Sequence, residues 1–216
     1  VFKYLRQLTR ERNQLVQERS MIKNQLHAEK TESDPNSSTL KRIKQRIELL
    51  NKQEKAIKEE IEMLAKKEKE LKQEITLLCS IPGIGTLTAV TILAETNGFE
   101  LVRNKRQLAS YAGFDIQEKQ SGTSVKGKSR ISKKGNKNLR QAMHLPALTA
   151  IKHDERFKSI FNRLVSKHGI KMKAVVAVQR KLLEMCYTIS KTQTGYSKNY
   201  LQETSAARQG YEMQID

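Results

Sequence analysis

The chain has no tryptophan, and aromatic residues make up only 5% of it. Any core is therefore modest and mostly aliphatic. Three prolines and ten glycines are too few for a generally disordered, low-complexity chain. No apolar run is long enough to span a bilayer, and no secretory-signal pattern is visible. The two cysteines, Cys79 and Cys186, lie far apart, and neither stands in a CxxC or Cys/His cluster. That excludes the usual zinc-site patterns and leaves reduced, buried thiols as the expectation. The four histidines (His27, His144, His153, His168) show no ligand spacing and read as structural or surface residues.

What the chain has in excess is positive charge. Over 216 residues, Lys and Arg number 41 against 23 Asp and Glu, a net +18 with a pI near 9.9. The excess is uneven: residues 1–75 carry a net +5 and residues 76–216 a net +13. The second part is the expected nucleic-acid face. Its densest stretch is Gln120–Arg140, QSGTSVKGKSRISKKGNKNLR, which has no acidic residue. Ser121, Ser124, Ser129 and Ser132 are interleaved there with Lys126, Lys128, Arg130, Lys133, Lys134, Lys137 and Arg140. Cations neutralise phosphates, glycines let backbone N–H groups approach them, and a serine oxygen can attack one. Composition alone favours the plainer reading, a solvated basic loop, and leaves all four serines open.

The first part carries heptads. From Leu40, one seam position reads Ile43, Leu50, Ile57, Leu64, Leu71, Leu78, and its partner reads Leu40, Ile47, Glu54, Ile61, Glu68, Ile75. This predicts one long helix with a narrow apolar stripe, interrupted at Glu54 and Glu68. Upstream, Leu5, Leu8, Leu15, Ile22 and Leu26 repeat less regularly, with Arg12 and Arg19 as basic interruptions. Basic breaks in one run and acidic breaks in the other suit pairing of the two. Between them, Glu29–Thr39 is polar and turn-forming, with Pro35; Glu32 and Asp34 within it read as solvated. An antiparallel coiled-coil hairpin over residues 1–76 is expected, as a spacer or a homo-oligomerisation device. The chain opens at Val1 in mid-helix pattern, which reads as a fragment lacking an N-terminal part.

The coil runs into LLCSIPGIGTLTAVTILAE, Leu77–Glu95. Pro82–Gly85 breaks the helix, Thr86 or a neighbour caps the next, and Ala89, Val90, Ile92 and Leu93 line its apolar side. The pattern looks like a helix-hairpin-helix element, in which Gly83, Gly85 and Thr86 aim backbone N–H groups at a phosphate. The basic surroundings favour that reading over a purely structural turn. Phe99–Ala112 reads as an amphipathic helix stopped by Gly113, then Phe114–Lys119 as a loop or short extended pair. Leu139–Lys152 reads as a helix kinked at Pro146, Phe157–Lys167 as one ended by Gly169, and Lys171–Lys191 as a third. Lys171, Lys173, Arg180 and Lys181 extend the basic face. The expected fold is mainly α: the hairpin, a compact helical domain over 77–193 with a basic loop, and a flexible tail over 194–216.

Ile81–Gly85 (IPGIG), Gln107–Gly113 (QLASYAG), Gln120–Gly122 (QSG), Gly127–Asn136 (GKSRISKKGN) and Leu139-Arg140 together resemble the C-terminal domain of the DEDD-type insertion-sequence transposases, bridge-RNA-guided DNA recombinases. The resemblance runs through most of residues 77–190. It implies that the serine of the QSG motif, here Ser121, is the recombination nucleophile, with DNA and a guide RNA as partners. It further implies an N-terminal ribonuclease-H-like domain whose four acidic residues bind Mg²⁺, and no substitute for that acidic array stands in the coil. This fragment is accordingly expected to bind no cofactor of its own and to work in a prokaryotic cytoplasm, on the nucleoid. No general base is evident, and His144 is too distant in sequence to assign. The alternative is a non-catalytic DNA- or RNA-binding architectural protein that oligomerises through its coil. A bare coiled-coil adaptor explains neither the charge asymmetry nor the IPGIG and QSG elements.

Overall fold

The computed structural model describes the backbone of residues 1–117, 120–121, 125–126 and 130–197, with side chains except those of 118–130. The fold is mainly α, as expected. By its contacts the chain forms two compact units. One joins Val1–Lys72 with Val90–Leu101, and the other joins Gln73–Ala89 with the described residues from Val102 onward.

In the first unit, α1 (Phe2–Lys30) and α2 (Ser37–Lys67) pair antiparallel. The ladder of side-chain bonds fixes the direction: Tyr4 reaches Glu60, Arg12 reaches Glu54, and Arg19 reaches Asn51. Ile22, Ile43 and Leu50 form a buried cluster, with Leu15, Leu26 and Ile47 packed on it. Asn36 starts α2 by accepting a bond from the Thr39 N–H at 3.0 Å.

Glu54, the acidic break in the seam, is only 4% exposed. It is held by Arg12 (3.0 Å), Lys58 (2.9 Å) and Arg19. The basic breaks of α1 thus meet the acidic break of α2. Burial favours the neutral carboxyl, but hydrogen bonds from Lys58, Arg19 and Arg12 outweigh it and hold the group at about 2. The stabilisation is therefore complete above the ordinary carboxylate value and is lost as pH falls toward 2. Allowing for solvent around the three cations, it is about 2 kcal/mol. Circular-dichroism melts of the wild type should lose stability between pH 4.5 and 2, and Glu54→Gln should flatten that dependence.

The second acidic break behaves differently. The predicted continuous helix ends at Lys67, because Glu68 leaves it in an extended conformation, with φ −106° and ψ 117°. That keeps the Glu68 carboxylate in water, and α3 (Lys69–Cys79) follows. Leu71, Ile75 and Leu78 remain buried, on α3 and not on the long helix.

The first unit is completed by Val90–Leu101, most of α4 (Thr86–Thr96) and the turn after it. Arg6 Nε donates to the Ala94 carbonyl at 2.8 Å. Arg10 grips the Glu95 carboxylate with two bonds, each 2.8 Å. The chain then reverses through three residues of positive φ, Asn97, Gly98 and Phe99, and Phe99 is fully buried. This reversal corrects the helix expected over Phe99–Ala112. Only α5 (Lys105–Tyr111) is helical there, started by Asn104, whose side chain accepts from the Gln107 N–H.

The second unit builds its core from α3, α5, α6 (Lys137–Ala142), α7 (His144–His153), α8 (Glu155–His168) and α9 (Lys171–Thr192). Leu78, Ile81, Leu108, Leu139, Met143, Phe157 and Leu182 are among its fully buried large side chains, together with Phe114. The helix expected over Leu139–Lys152 is two helices meeting at Met143. Pro146 falls in the first turn of α7, where a missing N–H costs no helical bond. Gly169 ends α8 at φ 67°, as predicted. Cys186 is buried and Cys79 partly so; both are free thiols, and burial pushes both upward. Residues 194–197, assigned to a flexible tail, are held: the Tyr196 N–H donates to Ser80 Oγ at 2.8 Å and its hydroxyl to Asp154 at 2.6 Å. Residues 198–216 lie outside the described residues.

Candidate nucleic-acid interface

The basic stretch is threaded by two short antiparallel pairings, not left as a plain loop. β1 (Ile116–Gln117) pairs with β4 (Arg130–Ile131), Ile116 opposite Ile131 and Gln117 opposite Arg130. Nested between them, β2 (Gln120–Ser121) pairs with β3 (Val125–Lys126), Gln120 opposite Lys126 and Ser121 opposite Val125. Ser121 therefore stands at the last described pair before residues 122–124. Lys126 and Arg130 are placed by their backbone only; Lys128, Ser124 and Ser129 lie outside the described residues.

A polar latch closes the base of this ribbon. Ser132 N–H donates to the Asp115 carbonyl and Ser132 Oγ to Asp115 Oδ1, both at 2.7 Å. Ser132 Oγ in turn accepts from the Lys134 N–H at 3.2 Å. The Ser132 hydroxyl is thus engaged on both sides, bracing the foot of the ribbon. Beyond the latch, the Lys133 N–H donates to the Gly113 carbonyl and the Asn136 N–H to the Tyr111 carbonyl. Gly135 sits so close that an added Cβ would come within 2.5 Å of the Tyr111 carbonyl oxygen. The YAG and KKGN motifs are in this sense one structural unit: the end of α5 receives the strand leaving the ribbon. Neither Asp115 nor this pairing was singled out by sequence reasoning. The only signal was a pair of acids, Asp115 and Glu118, just ahead of the cationic run.

Asn136 then starts α6 by accepting from the Leu139 N–H at 3.0 Å. Lys133, Lys134 and Lys137 are exposed around this start, and the structure brings them together. Arg140 is half-buried, and its Nη1 donates to the Ala112 carbonyl at 2.7 Å. Its first task is therefore to tie α6 to the end of α5.

The IPGIG turn is built by Ile84 N–H bonding to the Ile81 carbonyl, with Pro82 and Gly83 between and Gly83 at φ 89°. That is a turn of the type that requires glycine at its third position. A Cβ at Gly83 would meet the Pro146 carbonyl oxygen at 2.4 Å, so the bare backbone is already used by α7. Gly85 has nothing within 4 Å of such a Cβ. Both Gly85 and Thr86 are exposed, and the Gly85 carbonyl accepts the first bond of α4 from Ala89. Of the three turn residues expected to approach a phosphate, two present open surface and one is packed on its own chain. His144, at the start of α7, has its Nδ1 2.8 Å from Gln179 Nε2. Among the described residues no three His, Cys, Asp or Glu converge as metal ligands.

Residues 75–162 match the family described as Transposase IS116/IS110/IS902 family. Every motif from IPGIG to Leu139-Arg140 lies inside that match. The chain is similar to the pilin gene-inverting proteins of Moraxella bovis and Moraxella lacunata, each 32% identical over 123 residues, 56% of this chain and 38% of the relative. It is also 28% identical over 120 residues to the insertion element IS110 uncharacterized 43.6 kDa protein of Streptomyces coelicolor, 56% of this chain and 29% of that protein. The chain thus spans under two fifths of the length of these curated relatives. Among the described residues no helix is long and apolar enough to cross a membrane.

Proposed function

We propose that this chain is the DNA-binding, serine-bearing part of an insertion-sequence transposase or recombinase. Ser121 Oγ attacks a DNA phosphorus; its P–O bond forms as the bond to the leaving strand breaks, and the serine proton passes to the leaving hydroxyl. The strand is then held as a phosphoserine until a second strand's hydroxyl displaces it, so each bond broken is matched by one made and no ATP is used. Lys126, Lys128 and Arg130, carried on or between the strands of the ribbon, with Lys133, Lys134 and Lys137 at its foot, stabilise charge on the phosphorane and hold the flanking phosphates. Gly85 and Thr86 take a further phosphate of the duplex at the start of α4; Gly83 shapes their turn, and Arg140 braces the foot of the ribbon. A guide RNA chooses the sites, and the hairpin of α1 and α2 brings two copies together.

The observation that carries this reading is the family match over residues 75–162, which includes every motif of the ribbon and its latch. The pilin gene-inverting relatives point to the same class of DNA rearrangement. Binding of duplex DNA should weaken steeply with salt, since each neutralised phosphate releases counterions. The triple variant Lys133→Ala, Lys134→Ala, Lys137→Ala should lower the slope of log K against log salt by about 2 to 3. Fluorescence anisotropy from 50 to 300 mM salt measures it, and an unchanged slope removes the foot of the ribbon from the interface.

A further inference from the structure

A second cationic feature lies outside the ribbon and the IPGIG turn. It is a cleft of about 160 Å³ lined by α5, α8, α9 and residues 194–197. Lys105, Arg156 and Lys181 contribute three cations from three different helices. One carboxylate, Glu184, also lines it and is already bound by Arg180 Nε at 2.8 Å and Lys181 Nζ at 3.1 Å. The balance within the cleft remains positive. Met185 and Ile189 add an apolar lining. Tyr196 closes one side, with its hydroxyl fixed on Asp154 and its N–H on Ser80. Burial and Asp154 push that phenol up to about 12 against the opposing pull of Arg156, so it stays a neutral hydrogen-bonding group.

Converging cations suit a phosphate, and the planar Arg156 fork suits its paired oxygens. A bare inorganic anion has no use for Met185 and Ile189, whereas a sugar carried on the phosphate does. The volume is on the scale of one sugar–phosphate unit. We propose that this cleft seats one backbone unit of a nucleic-acid strand, at a place separate from the ribbon. The proposal rests on the nucleic-acid reading above and adds a second point of grip to it. It concerns the backbone, so it does not depend on base sequence.

The test uses the whole chain with single-stranded DNA, duplex DNA and a structured RNA of equal length. Lys105→Ala/Lys181→Ala removes two exposed charges from the cleft and leaves Glu184 with Arg180. Lys55→Ala/Lys66→Ala removes two exposed charges from α2 and serves as the control for net charge. Arg156→Ala, checked for an unchanged melt, is the second cleft variant. The expected result is an affinity about tenfold lower for both cleft variants in at least one arm, with the salt slope reduced by about 1 and no such change in the control. The arm that responds identifies the strand as DNA or RNA. Cleft variants that match the control in every arm overturn this inference alone. A wild-type chain that binds none of the three overturns the nucleic-acid reading together with it.

Discussion

Arg10→Ala is expected to destabilise the protein by about 3 to 5 kcal/mol, the largest effect of any single exposed cation in the first unit. The Glu95 carboxylate has no exposed surface, and Arg10 supplies it with two bonds of 2.8 Å. Arg10 itself is 48% exposed, so the asymmetry is strong. Removing Glu95 leaves a cation that water can solvate; removing Arg10 deprives a buried anion of its bidentate partner. Arg10→Lys should recover only part of the loss, because an ammonium cannot reproduce the fork. Chemical denaturation of the two variants with Glu95→Gln as a third arm measures this. A loss below about 1 kcal/mol for Arg10→Ala would make the clamp an ordinary surface pair. The clamp matters because, with the Arg6 bond to Ala94, it holds Val90–Leu101 onto α1.

Gly83→Ala and Gly85→Ala should separate sharply although they stand two residues apart. At Gly83 the new methyl meets the Pro146 carbonyl oxygen at 2.4 Å, and the backbone is at φ 89°. Strain from the left-handed conformation adds to overpacking against a backbone atom that cannot swing away, for a loss of about 2 to 5 kcal/mol. At Gly85 the methyl meets nothing within 4 Å, and the melt should move by no more than about 0.5 kcal/mol. If Gly85 approaches a phosphate, its alanine variant keeps the fold and weakens DNA binding. Equal melts for the two variants would contradict the packing of the turn on α7. An unchanged DNA affinity for Gly85→Ala would take that residue out of the interface.

Much of the hairpin was legible because its signal is local and periodic. The basic interruptions Arg12 and Arg19 and the acidic Glu54 were compatible with pairing of the two runs, and in the fold they meet, since a buried carboxylate needs cations at the same level. Glu68 carries the same residue type at an equivalent heptad position, yet it leaves the helix. Nothing in a heptad register distinguishes a charge that finds partners from one that escapes to water. The helix expected over Phe99–Ala112 failed for a related reason. Its apolar residues have helical spacing, but three consecutive positive φ values at Asn97, Gly98 and Phe99 turn the chain first. Asn97-Gly98 is a dipeptide that favours such a turn, but Phe99 carries no such signal.

In the candidate site, composition identified the cations and the serines but not what braces them. The Asp115–Ser132 latch, the seat of Gly135 on Tyr111 and the bond from Arg140 to Ala112 all join residues distant in sequence. They explain why SYAGF and ISKKGN have to occur together, whatever the chemistry at Ser121. Gly83 shows the same point from the other side. A glycine that reads as room for a phosphate is, in the fold, room for Pro146.

The central claim is that Ser121 forms the covalent link to DNA. A longer form of the chain, matched in length to its relatives, is incubated with candidate donor and target DNA, a candidate guide RNA and Mg²⁺. It is then denatured and resolved for a protein–DNA adduct, and the linked residue is read by peptide mass spectrometry. The account predicts an adduct on Ser121 that Ser121→Ala abolishes, while Ser132→Ala leaves the linked residue unchanged. An adduct of undiminished yield from Ser121→Ala would contradict it.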